Sequence, residues 1–210
     1  MRCVCVLTVI RAASKLPAVT RRDHLIELLA TRSARRGHFM LASGRQSTLY
    51  IDARLTTMSP EGLTIIGPLG VETLHAKGWH VDAVGGLTLG ADPIAYAISY
   101  ASVAEGTPLR AFTVRKEAKT HGTGKRIEGP FREGDQVAIV EDVITTGSSA
   151  LNAAEAVRAA GGAVRGVLAL VDREEGGREA LESAGLEVLA ILRASEIVAR
   201  MGQGSEERAR

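Results

Sequence analysis

Short apolar runs alternate with helical stretches from residue 81 to the end of the chain. Five runs rich in Val, Ile, Leu and Ala have the length of strands: Val81–Val84, Ala111–Val114, Gln136–Val140, Gly166–Val171 and Glu187–Leu192. Helices are predicted between or after these runs: Gly90–Ala104, Ser148–Ala160, Arg178–Ala184 and a last helix from about Ser195. Continuously apolar strands that alternate with helices are typical of a parallel sheet covered on both faces. The predicted fold class is therefore α/β, with a doubly wound, mostly parallel five-stranded sheet and helices on both faces.

The first part of the chain predicts a smaller unit. A helix is expected over His24–Arg35, because its leucines recur at helical spacing after cap-like residues at 20–23. Turn residues at 43–44, within the alternating stretch Gly37–Asp52, indicate a hairpin. A second helix is expected from Pro60 towards Lys77, with a disturbance at Pro68.

Composition agrees with one soluble globular domain. The chain has 210 residues, of which 45% are hydrophobic and 24% are charged, and both values are ordinary. A net charge of +2 gives no argument for nucleic acid or an anionic membrane as a partner. We divide the chain into an N-terminal extension (1–22) that we expect to be poorly ordered, a single domain (23–203) and a frayed tail (204–210).

The N-terminal extension carries two features that favour plain explanations. Cys3 and Cys5 are too few for a disulfide framework, and no nearby His or Cys completes a set of zinc ligands. The apolar run Val4–Ile10 is too short to span a bilayer, and its likeness to a signal peptide is weak. We therefore expect no membrane contact, and the role of the extension stays open.

The segment that joins the third predicted strand to its helix is the most informative one. Glu141 and Asp142 follow the strand, and Thr145–Ser149 lead into the helix. Short hydroxyls, a glycine and backbone N–H groups at a helix N-terminus make a phosphate site. Carboxylates repel phosphate, so the vicinal hydroxyls of a ribose or a nearby Mg²⁺ suit them better. The segment therefore predicts a site for a ribose 5-phosphate group.

Two other phosphate loops and a plain helix cap compete with this interpretation. The spacing lacks the Gly-x4-Gly-Lys of nucleoside triphosphate loops. The turn Gly85–Gly90 lacks the glycine order and the acidic partner of a dinucleotide loop. In a plain cap the threonines and serines would only start a helix, and the acids would only solvate a strand end. The nine-residue run Glu141–Ser149 as a whole favours the functional interpretation.

Val137–Ser149 resembles the 5-phosphoribosyl-1-diphosphate (PRPP) signature of type I phosphoribosyltransferases. That signature is an apolar strand, two acids, two apolar residues and Thr-x-Gly-Ser/Thr. The resemblance implies the type I phosphoribosyltransferase fold, with a small hood formed by about 23–58 and the C-terminal part. It also implies that the acids hold the ribose hydroxyls and that the loop holds the 5-phosphate. The implied PRPP-binding residues are Glu141, Asp142, Val143, Ile144, Thr145, Thr146, Gly147, Ser148 and Ser149.

A basic segment without apolar periodicity follows the second predicted strand. About twenty residues without predicted structure inside a compact domain are usually functional, and an active-site lid is a common case. The cations of Arg115–Arg126 suit a pyrophosphate, and the glycines among them allow movement. A solvated charged loop is the alternative. We expect a mobile lid over residues 115–130.

The pattern Arg-Lys-Glu-x-Lys-x-His-Gly in this segment resembles the lid of orotate phosphoribosyltransferases. The matching residues, which the resemblance implies contact the diphosphate of PRPP, are Arg115, Lys116, Lys119 and His121. In that family the lid acts partly across a dimer interface, which implies a homodimer. Lys119 or His121 is expected to donate a hydrogen bond or a proton to the departing pyrophosphate. We group these two residues with Asp142 as catalytic.

An arginine follows the fourth predicted strand. Arg173 can hold a planar carboxylate through two parallel hydrogen bonds, and a salt bridge to a neighbouring acid is the alternative. The stretch Val171–Gly177 resembles the orotate-binding motif of the same family, which implies that Arg173 and Thr145 bind orotate. Phe39–Asp52 resembles the hood segment that covers the base, where Tyr50 either stacks on the base or packs in the core.

Two positions depart from the family pattern. Ala42 and Leu89 stand where some members of the family have lysines, and the lysine at the first position contacts PRPP. The diphosphate contacts of this chain are therefore expected to differ in detail from those of such members.

The resemblance covers roughly residues 22–196 and implies a complete reaction. Orotate and PRPP give orotidine 5′-monophosphate and pyrophosphate, in de novo pyrimidine (UMP) synthesis in the cytoplasm. Mg²⁺ is the expected cofactor, held mainly through PRPP with Glu141 and Asp142 nearby, and no metal site of the protein's own is expected.

Two alternatives remain at this stage. A purine phosphoribosyltransferase would share the signature but should lack the Arg173 motif and this lid. A PRPP-sensing regulator would need a nucleic-acid-binding module, and the residues before His24 are too few for a helix-turn-helix domain. We therefore expect PRPP and orotate as ligands, and no nucleic acid.

Overall fold

The computed structural model describes residues 18–40, 46–117 and 125–207. Its N-terminal elements are helix α1 (Ala18–Leu28), which continues into a π-helical turn (Leu29–Ser33), strands β1 (Ala34–Met40) and β2 (Gln46–Ile51), and helices α2 (Arg54–Thr57) and α3 (Pro60–Ala76). Strands β1 and β2 pair antiparallel, so the predicted hairpin is confirmed. Its turn, with Ala42, lies outside the described residues.

Helix α1 begins and ends earlier than its leucine pattern predicted. It starts at Ala18, inside the stretch that we assigned to the N-terminal extension. Leu25 and Leu29, which carry the helical spacing, are fully buried. The prediction that the helix continues to Arg35 is wrong, because Arg35 pairs with Tyr50 across the hairpin.

The rest of the chain builds a six-stranded sheet. Its strands are β3 (Ala83–Leu87), β4 (Arg110–Val114), β5 (Ile127–Glu128), β6 (Gln136–Ile144), β7 (Ala163–Asp172) and β8 (Val188–Arg193). They lie in the order β5-β4-β3-β6-β7-β8, and β5 alone is antiparallel to its neighbour. The five predicted parallel strands are confirmed. The prediction of a five-stranded sheet was one strand short. The strand that it missed, β5, has only two residues, which are too few to show a hydrophobic period in the sequence.

Helices cover both faces of this sheet. They are α3 with α4 (Ala91–Ala104), α5 (Ser148–Ala159), α6 (Gly177–Ser183) and α7 (Ala194–Glu207). Successive residues of β6 point to opposite faces. Ala138 and Val140 enter a core built with α1, α3 and α4, whereas Val137 and Ile139 enter a second core with α5 and α6. The doubly wound architecture is therefore confirmed. Helix α7 ends at Glu207, inside the tail that was predicted to begin at residue 204.

Helix α3 runs without interruption through Pro68, where a disturbance was expected. Its start matches the prediction, since Pro60 is the first residue and the Ser59 side chain accepts a hydrogen bond from the N–H of Gly62 at 3.1 Å. Close packing against α4 holds the helix at its middle, because a Cβ on Gly67 would lie 2.4 Å from the Ala97 carbonyl oxygen. None of the helices in the described ranges is long and apolar enough to cross a membrane.

The strand order reverses between β3 and β6. The chain places β4 on one side of β3 and then returns to place β6 on the other side. The loops that leave β3 and β6 at their carboxyl ends therefore turn away from each other and open a crevice between them. In open α/β sheets this crevice is the usual place for a ligand.

Candidate active site

The acidic pair lies within β6, close to its carboxyl end. The strand was predicted to stop at Val140, but it continues to Ile144. Glu141 is paired in register with Ala169 of β7, and Val143 is paired with Val171. Ladder hydrogen bonds therefore hold the backbone that carries both carboxylates, which fixes where their side chains point.

A tight turn joins β6 to helix α5. Gly147 has a φ of +79°, and a Cβ there would lie 2.8 Å from Leu181 Cγ and 3.0 Å from the Gly177 carbonyl oxygen. Only glycine satisfies both conditions without strain. Helix α5 begins at the next residue, Ser148. The first N–H groups of a helix have no acceptor within it, so this turn presents donors suited to a phosphate.

Glu141 has an unusual electrostatic environment. Its side chain is buried, with the Asp142 carboxylate beside it and the Ser149 hydroxyl in hydrogen-bonding contact. Burial first, and then repulsion from Asp142, raise the pKa of Glu141 to about 8, while the bond to Ser149 opposes the shift. At neutral pH this carboxyl therefore holds a proton in the free protein, and a cation or a donor array that arrives can release it.

Asp142 is packed against the backbone of the loop that follows β3. A Cβ on Gly90 would lie 2.6 Å from the Asp142 carboxyl carbon, so only glycine lets this loop come so close. The N–H of Val143 donates to Asp142 Oδ1 at 2.9 Å. Burial raises the pKa of Asp142, although this hydrogen bond and the charge of Arg54 oppose the shift.

Both carboxylates face a cavity of about 510 Å³ in the crevice between β3 and β6. Most of its lining comes from three stretches of chain: the end of the hairpin and the start of α2, the loop after β3, and the end of β6; Lys116 after β4 and Ser149 of α5 add to it. The lining residues are Tyr50, Ile51, Asp52, Ala53, Arg54, Leu87, Thr88, Leu89, Gly90, Lys116, Glu141, Asp142, Val143 and Ser149. The predicted donor site and the predicted hood therefore face the same space.

The other signature residues surround the turn rather than line this cavity. Thr145 and Thr146 form the turn itself, and the Thr146 and Ser148 hydroxyl oxygens are 3.0 Å apart. Ile144 is 1% exposed and belongs to the core on the α5 side, so only its backbone can face a ligand.

A hydrogen-bond network anchors the loop after β3. The buried carboxylate of Asp92, in α4, accepts bonds from Thr88 Oγ1 at 2.7 Å and from Thr113 Oγ1 at 2.8 Å. Tyr96 Oη lies 2.8 Å from the same Thr113 oxygen. The Thr88–Leu89 peptide bond is cis. The network joins the loop to β4 and α4, and it leaves Leu89 exposed at the cavity.

The basic segment contributes one lining residue from its described part. Lys116 faces the cavity, whereas Arg115 lies 3.7 Å from Glu128 in an ion pair. Lys119 and His121 lie outside the described residues. The last part of the segment, before residue 130, has regular structure. Strand β5 pairs with β4, and the N–H of Arg115 donates to the Arg126 carbonyl at 2.8 Å.

Arg173 lies under the hairpin and is 4% exposed in its side chain. Its Nη2 donates to Ser47 Oγ at 2.9 Å and to the Leu49 carbonyl at 2.7 Å. Nε and Nη2 also contact Glu175 Oε1, at 3.2 and 2.9 Å, as in the alternative that we considered for this residue. Its backbone N–H bonds to the Ile144 carbonyl at 3.1 Å, which brings Arg173 next to the phosphate turn.

The donor set of the cavity suits Mg²⁺ only in company with a ligand. Among the described residues, no three His, Cys, Asp or Glu side chains are grouped to hold a metal ion. The cavity does offer the carboxylates of Asp52, Glu141 and Asp142. Mg²⁺ is often bound by one or two carboxylates together with substrate phosphates, so these oxygens fit an ion that a phosphorylated ligand carries.

Three polar lining residues were given no individual role in the prediction from sequence, although Asp52 ends the predicted hood segment. Asp52 and Arg54 come from the end of the hairpin, and Thr88 comes from the loop after β3. A signal for the first two was present, since opposite charges separated by one residue directly follow a predicted strand. Thr88 carries no such signal, because a lone threonine after two glycines is common in turns.

Curated relatives decide the family. The orotate phosphoribosyltransferase of Aquifex aeolicus (strain VF5) is 46% identical over 180 residues, which cover 84% of this chain and 97% of that relative. The chain belongs to the orotate phosphoribosyltransferase family. No protein-family model matches the chain.

Solved orotate phosphoribosyltransferases share its fold. The Mycobacterium tuberculosis H37Rv enzyme in complex with Fe(III) dicitrate has a TM-score of 0.74 and 43% identity, and covers 84% of this chain and 98% of its own. The same enzyme in complex with PRPP has a TM-score of 0.71 and 41% identity, with the same coverage. The type I phosphoribosyltransferase fold implied by the signature is therefore confirmed. An orotate phosphoribosyltransferase is a pentosyl-transferring enzyme of pyrimidine biosynthesis, so the purine enzyme and the non-catalytic regulator lose their support.

Proposed function

We propose that this chain transfers the 5-phosphoribosyl group of PRPP to orotate, in a Mg²⁺-dependent reaction that yields orotidine 5′-monophosphate and pyrophosphate. One observation carries the proposal: a carboxylate pair, of which Glu141 is buried, and a phosphate-type turn follow each other at the end of the same strand, β6, beside a cavity. The PRPP complex of the M. tuberculosis enzyme supports PRPP as the donor.

The donor is held from both ends of its ribose. The 5-phosphate binds the turn Thr145–Ser149, where the N-terminus of α5 supplies N–H groups and partial positive charge. The ribose hydroxyls donate to Asp142 and to Glu141, which releases its proton when these donors or a cation arrive. Backbone groups of Val143 and Ile144 complete this surface.

The acceptor binds beside the turn. Arg173 uses Nε and Nη2 for its contacts with the hairpin and Glu175, and Nη1 donates to none of the described residues. Orotate is a planar carboxylate, and Nη1 with the Thr145 hydroxyl gives it two donors from adjacent stretches of chain. Tyr50, which is 39% exposed and lines the cavity, can cover one face of the ring.

The chemistry requires charge stabilisation rather than a covalent nucleophile. The bond between the anomeric carbon and the diphosphate breaks, and its electron pair leaves with pyrophosphate. The orotate ring nitrogen then bonds to that carbon, and its proton passes to the departing pyrophosphate or to water. Asp142 stabilises the positive charge that develops on the ribose, while Arg115, Lys116, Lys119 and His121 stabilise the negative charge on the leaving group. A bound Mg²⁺ supplies further positive charge to the diphosphate oxygens.

A homodimer completes the site in this proposal. Tyr96, Tyr100 and Val103 are 52, 64 and 67% exposed on one side of α4. Their spacing of four and three residues puts them in one stripe along the helix. An exposed apolar stripe of this kind is typical of an interface, and α4 follows the loop that lines the cavity. A second copy on this face would bring its own basic segment close to the site.

The substrates also suggest where the enzyme works. PRPP and orotate are anions that do not cross a bilayer unaided, so the proposed step of de novo UMP synthesis belongs to the cytoplasm.

Product identification tests this proposal. Purified protein is incubated with PRPP and orotate, with Mg²⁺ and then with Mg²⁺ removed by a chelator, and the products are separated by anion exchange. We expect orotidine 5′-monophosphate and pyrophosphate in equal amounts, and no product without Mg²⁺. Hydrolysis of PRPP without a nucleotide product, or unchanged turnover in the chelator, would contradict it.

A further inference from the structure

Arg54 occupies a position on the cavity wall that the donor-site motifs do not explain. It is the first residue of α2, just after the hairpin, and it shares the cavity with Lys116 and Leu89. Among the described lining residues, Arg54 and Lys116 are the cationic ones. The loop after β3 contributes Leu87, Thr88, Leu89 and Gly90 to the lining, so it supplies no charged side chain to an anionic ligand.

The guanidinium of Arg54 is held in one orientation. Its Nε donates to Asp52 Oδ1 at 2.8 Å and its Nη2 donates to Asp52 Oδ2 at 2.9 Å. Asp52 is itself fixed, because its N–H donates to the Ser33 carbonyl at 3.0 Å. Nη1 of Arg54 donates to none of the described residues, although the side chain is only about half exposed, at 49%. Nη1 of Arg54 therefore offers its two N–H groups to a ligand, while Nε and Nη2 are bonded to Asp52.

The charge of Arg54 reaches the centre of the site. It acts on Asp142, where it opposes the rise in the pKa of that carboxyl. The same guanidinium is paired with Asp52, whose pKa is lowered chiefly by this contact. An oriented cation close enough to act on the Asp142 carboxylate, on the wall of a cavity that receives a polyanion, is placed to meet the part of the ligand with most negative charge.

We propose that Arg54 binds the diphosphate of the donor through Nη1, and that Asp52 is a positioning residue that orients it. The inference rests on the proposed function. It assigns the diphosphate and not the 5-phosphate, because Arg54 lines the same cavity as Lys116 of the basic segment, whereas Ser149 is the one residue of the turn Thr145–Ser149 among the lining residues.

Product inhibition distinguishes the two phosphate subsites. For wild type, Arg54→Ala and Arg54→Lys, inhibition constants are measured for inorganic pyrophosphate and for ribose 5-phosphate, together with KM for orotate. In Arg54→Ala we expect the inhibition constant for pyrophosphate to rise by about tenfold or more, as for loss of one charge-assisted bond. The ribose 5-phosphate constant and KM for orotate should stay within about twofold, and Arg54→Lys should recover part of the loss.

Asp52→Asn tests whether Asp52 orients the Arg54 guanidinium or only stabilises the local fold. This variant leaves the Arg54 charge in place but removes its bidentate partner, so we expect a smaller rise in the pyrophosphate constant. Arg54→Ala in the Asp52→Asn background should add less than it does alone, since both changes act through one guanidinium. If Arg54 only stabilised the end of the hairpin, both single variants would lower Tm and raise all three constants together.

Arg32→Ala is the matched control. Arg32 is also a partly exposed arginine in an ion pair, with Glu61 at 3.1 Å, but it does not line the cavity. Its variant should keep all constants at wild-type values. An active wild type with an unchanged pyrophosphate constant in Arg54→Ala would overturn the inference alone, whereas an inactive wild type would overturn the proposed function.

Discussion

Glu141 shows that the fold places an ionisable group in an electrostatically unfavourable environment at the site. Ladder pairing with Ala169 holds a carboxyl below the surface next to a second one, and the pKa of Glu141 rises to about 8. A residue chosen only for stability would not carry an ionisable group there. The cost makes sense if a ligand with donors or a cation relieves it.

Glu141→Gln should change the pH dependence of stability in a defined direction. The folded-state pKa lies near 8 and the ordinary value is 4.5, so the folded form holds the extra proton between these values. This contribution is complete below about pH 4.5 and is lost as pH rises to about 8. The difference in free energy of unfolding between Glu141→Gln and wild type should therefore change by about 2–4 kcal/mol in favour of the variant from pH 5 to pH 8. Urea titrations at both pH values measure this, and parallel curves would contradict it.

Arg173→Lys should act on orotate and leave PRPP alone. Lysine keeps the charge but cannot hold the hairpin and a carboxylate at the same time. We expect KM for orotate to rise by about ten- to a hundredfold, with KM for PRPP within about twofold, in steady-state assays. Ser47→Ala is the control, because it removes the hydrogen bond between Arg173 and Ser47 without touching the guanidinium. An equal loss in both variants would mean that Arg173 only fastens the hairpin.

At the scale of elements, the unit of function is the β6–turn–α5 connection. The strand fixes the carboxylates, the glycine turn reverses the chain, and the helix N-terminus supplies donors. The turn depends on a close approach to α6 that a Cβ on Gly147 would block.

Gly147→Ala tests that dependence. A Cβ at this φ is strained and would also overlap Leu181, so we expect a loss of about 2–4 kcal/mol in the free energy of unfolding and a raised KM for PRPP. Gly78→Ala is the matched control, since Gly78 has a φ of +71° and a Cβ added there would meet nothing within 4 Å. It should cost only the backbone strain, about 1 kcal/mol, and leave KM unchanged. Equal losses in both variants would mean that packing against α6 is irrelevant.

The sequence predicted the elements that have a clear hydrophobic pattern. It missed the elements whose extent depends on hydrogen bonding to a neighbouring strand. The five parallel strands follow from their apolar runs, but β6 extends past Val140 because Glu141, Val143 and Ile144 still find partners in β7. Strand β5 has two residues and exists only because β4 offers an edge. Arg54 escaped notice because no motif contains it, and its importance depends on a hairpin folding over a distant crevice.

At the scale of the whole molecule, the proposed dimer makes a prediction about mixed subunits. A Lys119→Ala chain and an Asp142→Asn chain should each be nearly inactive alone. If the basic segment serves the partner's site, a mixed dimer regains one complete site of its two, so the purified mixed dimer should have about half of wild-type activity. Co-expression of two differently tagged chains, followed by tandem purification, measures this. Activity no greater than that of the separate variants would mean that each segment serves its own site.

PRPP-dependent conversion of orotate at the cavity beside the end of β6 is open to a direct assay. The loss of orotate absorbance in the ultraviolet is followed with PRPP and Mg²⁺, for wild type and Asp142→Asn, and with adenine as the competing acceptor. We expect that wild type consumes orotate only when PRPP is present, that adenine is not converted, and that Asp142→Asn is slower by at least about a hundredfold. Consumption of adenine, or an Asp142→Asn enzyme as fast as wild type, would contradict the proposed function.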